Sequence, residues 1–192
     1  MKNGFSLHTV ATAPAASAAI LNAVGAAWGF VPNLHGVLAE SPAALEAYGV
    51  LWTLAEKTAF TPAERNIAYL AIIFENGCEY CMAGHSGLSR MQGVPAEHIA
   101  AIRENRPLSD RRLEVLRAFA GKITRNRGVV SEADVAAFKA AGFTNQSILD
   151  LLVLGAAKLI SNYTNHLAQT PNDAFMTGNE WKRPGDSARR AS

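Results

Sequence analysis

Helix-opening signals recur along this chain, and behind almost every one the apolar residues return at intervals of three and four. Ser41-Pro42 reads as an N-cap with proline at the first helical position, and it opens a helix to about Lys57. Leu45, Tyr48, Leu51, Trp52 and Ala55 form its inward stripe. Thr61-Pro62-Ala63-Glu64 is a capping box that opens a helix through about Phe74, with Ile67, Leu70, Ala71 and Phe74 inward. Ser109-Asp110 caps a helix over about 110–125, and Ser131-x-x-Asp134 caps another to about Ala141, closed by Gly142. Thr144 starts the longest, which runs to about Gln169 before Pro171. Three more are expected over about 14–27, from the Cys78 region to about Met91, and over 96–103. No stretch alternates apolar and polar residues for long enough to make a strand, and Ile72-Ile73 and Val129-Val130 are too short. The pattern predicts an all-α fold.

With 192 residues, 49% hydrophobic and 18% charged, the chain can bury a globular core. It is read as a single domain over 1–181, with the motif-bearing core at about 40–125 and a polar, disordered tail at 182–192. The net charge is +2 and the charges are dispersed, so no nucleic-acid partner is expected. Val10–Ala27 is alanine-rich and follows Lys2, as a targeting segment would. Its Ile20, Leu21, Val24 and Trp28 recur at helical spacing, however, so it reads as an amphipathic surface helix. No run reaches the length of a membrane span. No membrane partner is expected, and the expected location is cytoplasmic.

The chemistry concentrates in Glu75–His85, which holds both cysteines. Asn76-Gly77 ends one helix, and Cys78 falls at the start of the next. Cys78 and Cys81 are then i and i+3, with His85 four residues beyond Cys81, all on one helical face. A helix start offers free N–H groups and positive potential, which favour thiolate. A dithiol peroxidase needs a thiolate to attack the O–O bond, an acid for the leaving oxygen, and a second thiol to close a disulfide. His85 could take a proton from Cys81 and return it. Spacing leaves the attacking cysteine open: the helix dipole favours Cys78, the imidazole favours Cys81. There is no glycine-rich nucleotide loop, so no cofactor is expected.

Glu75-Asn76-Gly77-Cys78-Glu79-Tyr80-Cys81-Met82-Ala83-Gly84-His85-Ser86 resembles the active-site stretch of the alkylhydroperoxidase D-like (AhpD-like) proteins of the carboxymuconolactone decarboxylase family. The resemblance extends to Gly29–Leu34, Ser41–Tyr48, Ser161–His166 and Thr170-Pro171, and so covers roughly Gly29 to Phe175. It implies a compact AhpD-like helical bundle with the Cys-x-x-Cys motif at the start of a central helix. It also implies a hydroperoxide reductase in which Cys81 attacks and Cys78 resolves. Electrons would come from another thiol, such as a lipoyl-bearing protein or a small dithiol, and the assembly would be a homotrimer or homohexamer. The family pattern places a relay glutamate twelve residues before the first cysteine, where this chain has Asn66. Glu64 is engaged in its capping box, so Glu75 is the expected substitute, giving Cys81, Cys78, His85 and Glu75 as the catalytic set.

Three competing readings stand beside it. Cys78, Cys81 and His85 could bind zinc, with His166 or Glu75 as fourth ligand. The chain could be a non-redox decarboxylase-like enzyme, although the family's decarboxylases lack the cysteine pair. It could be an assembly protein with incidental thiols. His166, four residues from Asn162, is read as a structural or subunit contact, and His35 as a surface residue.

Overall fold

The computed structural model describes residues 1–185, and its organising element is the helix Pro62–Asn76. In chain order the helices are α1 (Ala15–Trp28), α2 (Asn33–Leu38), α3 (Pro42–Glu56), α4 (Pro62–Asn76), α5 (Glu79–Met91), α6 (Ala96–Arg103), α7 (Arg111–Arg125), α8 (Glu132–Ala140) and α9 (Asn145–Ala168). A 3₁₀ turn follows at Ala174–Met176. No strand occurs among the described residues, so the chain is all-α.

The start signals act as their chemistry dictates. Ser41 accepts from the N–H of Ala44 and Asp110 from that of Leu113, while Thr61, Ser131 and Thr144 each close a capping box. The main departure is α2. Pro32-Asn33 reads as loop, yet six residues turn helical there and bury Leu34, Val37 and Leu38.

Helix α4 is buried more completely than its expected stripe. Every residue from Asn66 to Phe74 is buried, which is how a helix apolar on all sides behaves at the centre of a bundle. It packs against α5, α6, α7 and α9, and α9 also lies along α3. α1 stays superficial, burying only Ser17 and Leu21. No single helix among the described residues is long and apolar enough to cross a membrane.

After α9 the chain returns across α5. Asp173 accepts from the N–H of Asn33 at 2.9 Å and from the hydroxyl of Tyr80, tying α2 and α5 to this return segment. Trp181 donates to the carbonyl of Arg103 at 2.9 Å. Of the expected disordered tail, residues 186–192 lie outside the described residues. Arg183 is described, and its guanidinium sits 5.0 Å from the Phe74 ring centroid and donates to the Glu75 carbonyl at 3.1 Å.

Candidate active site

The site is made by the corner between α4 and α5. Gly77 ends α4 with φ 68°, a left-handed conformation open to glycine at little cost, and its N–H returns to the carbonyls of Ile73 and Phe74. Cys78 is the N-cap of α5, and its Sγ accepts from the N–H of Cys81 at 3.3 Å. Both thiols are free and buried.

Helix α9 supplies the opposite wall. Its buried face continues from Leu151 and Leu154 into Lys158, Ser161, Asn162 and Asn165, so an apolar stripe turns polar where it meets the cysteines. The Asn165 amide Nδ2 lies 3.2 Å from Cys81 Sγ and 4.0 Å from Cys78 Sγ. Lys158, 1% exposed, places Nζ 2.8 Å from Nε2 of His85. An ammonium can only donate, so whenever Lys158 is charged His85 accepts at Nε2 and is neutral, with its proton on Nδ1. That Nδ1 is buried and has no hydrogen-bond partner among the described residues. Aromatic faces enclose the cation: Nζ is 4.6 Å from the Tyr69 centroid, 5.4 Å from Trp52 and 5.9 Å from Tyr48.

These surroundings separate the two thiols. Burial alone would raise the pKa of Cys81. The Cys78 thiol donating to it, the Lys158 charge and the Asn165 amide outweigh burial and bring Cys81 down to about 7. Cys78 is pushed well up by burial and by the neighbouring Cys81 sulfur. Burial, then the Lys158 charge, hold His85 well below its usual range. Burial draws Lys158 down to about 8, against the opposing pull of the two sulfurs. The favoured charge state is a Cys81 thiolate beside a Lys158 ammonium.

Two cavities flank the pair. One of about 50 Å³ is apolar and is bordered by Trp28, Tyr48, Trp52, Cys81, His85 and Lys158. The other, about 460 Å³, is polar and is bordered by Cys78, Glu79, Asn165, His166, Thr170 and Trp181. Cys81 thus borders the aromatic cavity and Cys78 the polar one.

Three of the four expected residues come together: Cys78, Cys81 and His85. Glu75 does not join them. Its carboxylate is held by Arg125 at 2.7 Å and Arg183 at 3.5 Å, and it borders a separate cavity beside α7 and α8. The last turn of α4 points Glu75 toward cations from distant segments, which offset the unfavourable helix end. Asn66, at the relay position, donates to the Pro62 carbonyl and to Gln92, and accepts from Ser89 at 3.2 Å. His35 is no surface residue: it borders the apolar cavity, its ring 5.4 Å from Tyr48, and burial followed by the Lys158 charge lowers it to about 4. His166 is exposed on the polar cavity, and Asn165 is the residue that reaches the sulfurs. Lys158 and Asn165 are not among the residues expected from the sequence. The signal for them is the spacing Lys158, Ser161, Asn162, Asn165, polar residues at i, i+3, i+4 and i+7 in register with an apolar face. No group of three or more His, Cys, Asp or Glu side chains placed to hold a metal ion occurs among the described residues, and Nε2 of His85 lies 2.8 Å from Lys158 Nζ.

The model of the carboxymuconolactone decarboxylase family matches residues 40–120. No curated protein matches the chain in sequence. Among solved structures, a peroxidase-related protein from Ralstonia eutropha JMP134 with an alkylhydroperoxidase AhpD core is similar at TM-score 0.76 and 25% identity, covering 90% of this chain and 93% of that one. A peroxidase-related protein from Silicibacter sp. TM1040 is similar at TM-score 0.75 and 21% identity, covering 92% and 93%. The debrominase Bmp8, solved with 2,3,4-tribromopyrrole, shares the fold at TM-score 0.68 and 15% identity, covering 84% and 87%. A debrominase on the same fold means that the fold alone does not choose the reaction.

Proposed function

We propose, from the match of residues 40–120 to the carboxymuconolactone decarboxylase family model and the AhpD-like fold, that the chain is a thiol-dependent hydroperoxide reductase working through a Cys78–Cys81 disulfide. The observation that carries this reading is the asymmetry of the two sulfurs around Asn165: the amide lies 3.2 Å from Cys81 and 4.0 Å from Cys78. A polarised low-pKa thiol next to a high-pKa thiol is the arrangement an attacking and a resolving cysteine need. Cys81 attacks the peroxide from its border on the apolar cavity. Cys78 closes the disulfide. The Cys78 sulfur spends its place at the helix start as a cap, which supports Cys81 as the attacking thiol.

Electrons return from a second thiol, a small dithiol or a lipoyl group carried by another protein. The polar cavity at Cys78 suits its entry. Attack on Cys78 expels Cys81, and the lower-pKa thiol is the better leaving group. A reducing compartment such as the cytoplasm would keep the pair in its working state. A homotrimer or homohexamer is part of the proposal. On α9, Leu152, Leu159, Tyr163 and Leu167 share one face and are each about half exposed, an apolar stripe that a second copy would cover.

The test is a pair of single substitutions treated with one equivalent of hydroperoxide. Cys78→Ser should react once per chain and accumulate a sulfenic acid on Cys81, trapped by dimedone and located by mass. Cys81→Ser should not react. The reverse outcome exchanges the two roles, and inertness of the wild type toward every hydroperoxide removes the activity.

A further inference from the structure

The reaction just described needs a group that accepts the Cys81 proton and gives it to the departing oxygen, and neither expected candidate is placed for it. Glu75 is tied to Arg125 and Arg183. His85 offers Nε2 to Lys158 instead of to a thiol. Lys158 itself forms no ion pair with a carboxylate among the described residues. A buried cation without a counter-ion is costly to the fold, and an apolar side chain of the same size would be cheaper.

The groups that face it account for the cost. They are His35 from α2, Tyr48 and Trp52 from α3, Tyr69 from α4, Cys78 at the N-cap of α5, and Cys81 and His85 from α5. Two are imidazoles, which bring no negative charge. The phenols of Tyr48 and Tyr69 are held above their usual range chiefly by burial and stay neutral. Only a thiol can supply the counter-charge.

We infer that Lys158 is the acid–base group of this site, carrying the proton of Cys81 to the leaving oxygen, with His85 as the acceptor that positions its ammonium. The inference rests on the reading of Cys78 and Cys81 as a redox pair. The Cys81 thiol gives its proton to the Lys158 amine, leaving thiolate and ammonium. The thiolate attacks the terminal peroxide oxygen, so an S–O bond forms and the O–O bond breaks. The alkoxide takes the proton from Lys158 and departs as alcohol. The Lys158 amine next accepts the proton of Cys78, whose thiolate attacks Cys81 Sγ. The S–S bond forms, the S–O bond breaks, and hydroxide takes the proton and departs as water. Two electrons leave the dithiol and two enter the peroxide. A lysine drawn down to about 8 is matched to such a role, whereas a neutral His85 held well below its range is a poor acid.

Lys158→Met and Lys158→Arg test this, each checked by circular dichroism, with iodoacetamide alkylation of Cys81 followed by mass against pH. Alkylation involves no peroxide, so it judges the thiolate–ammonium pair even if the wild type ignores every hydroperoxide. With methionine, the alkylation midpoint should rise by about one pH unit or more. Peroxide-driven disulfide formation should fall by roughly a hundredfold or more. The melting temperature should hold or rise, because an unpaired buried charge has gone. Arginine keeps the charge but cannot release its proton, so it should hold the midpoint and still lose turnover. If methionine fails to fold, the wild type decides: the rate of its first turnover should drop as pH passes about 8. An unchanged midpoint with methionine, full turnover with arginine, or no alkaline drop in the wild type would each overturn the assignment.

Discussion

Nζ of Lys158 and Nε2 of His85 lie 2.8 Å apart across 73 residues of sequence, joining the middle of α9 to α5 inside a cage of aromatic rings. We propose that this contact gives the histidine of the motif a positioning role, with His85 as the acceptor that holds a buried cation and the cation biasing the thiol. Replacing His85 by leucine leaves the ammonium without its acceptor, a loss of about 2 kcal/mol, or about 4–8 °C in Tm at this chain length. Leucine at His85 together with methionine at Lys158 should recover most of that loss, since the double variant removes both partners. Thermal melts of the four proteins measure the coupling. Additive losses would mean that the two side chains do not depend on each other.

The pH profile of disulfide formation should be bell-shaped. Cys81 is active as thiolate and gains it as pH rises past about 7. Lys158 is active as ammonium and loses it as pH rises past about 8. The flanks belong to the coupled pair. Stability carries a matching sign. The folded pKa of Lys158 lies below its ordinary 10.5, so the unfolded chain binds more protons between about 8 and 10.5, and Lys158 contributes stability that grows with pH over that window. Urea melts at pH 8 and pH 10 should show a gain in the wild type relative to Lys158→Met. An equal change in both would contradict the burial of a charged lysine.

Glu75→Gln separates structure from chemistry. Loss of the contacts to Arg125 and Arg183 should lower stability by about 1 kcal/mol, while the pH midpoint of Cys81 alkylation stays where it was. A shifted midpoint would return Glu75 to the proton relay.

How much of this was legible in the sequence depends on distance along the chain. The helix starts at Ser41, Thr61, Asp110, Ser131 and Thr144 are local chemistry, and each forms as its residues dictate. The alignment of Cys78, Cys81 and His85 follows from helical period alone. What was hidden depends on long-range packing. Nothing near Glu75 announces that Arg125 and Arg183 will claim it. Nothing near His85 announces a lysine from α9. Asn33–Leu38 is too short to show a period, and it folds because Leu34, Val37 and Leu38 find the core. The polar stripe at Lys158, Ser161, Asn162 and Asn165 was visible as a fault in an apolar face, and such faults mark places where a buried face meets chemistry.

We propose that the aromatic cavity limits substrate size: about 50 Å³ beside Cys81 would admit the O–O group of a hydroperoxide with a small substituent. Phe175, 40% exposed and 5.6 Å from the Phe30 ring, stands at its edge. Phe175→Ala should raise the kcat/KM ratio for cumene hydroperoxide over hydrogen peroxide by about tenfold, with little loss of stability because the ring is already exposed. An unchanged ratio would mean that peroxide reaches Cys81 by another route.

The most direct test of a Cys78–Cys81 redox couple is a count of free thiols in the wild-type protein, by mass-shift alkylation before and after one equivalent of hydroperoxide. The Cys78 and Cys81 thiols should vanish together and return together with a dithiol. Two thiols still open to alkylation after peroxide would contradict such a couple.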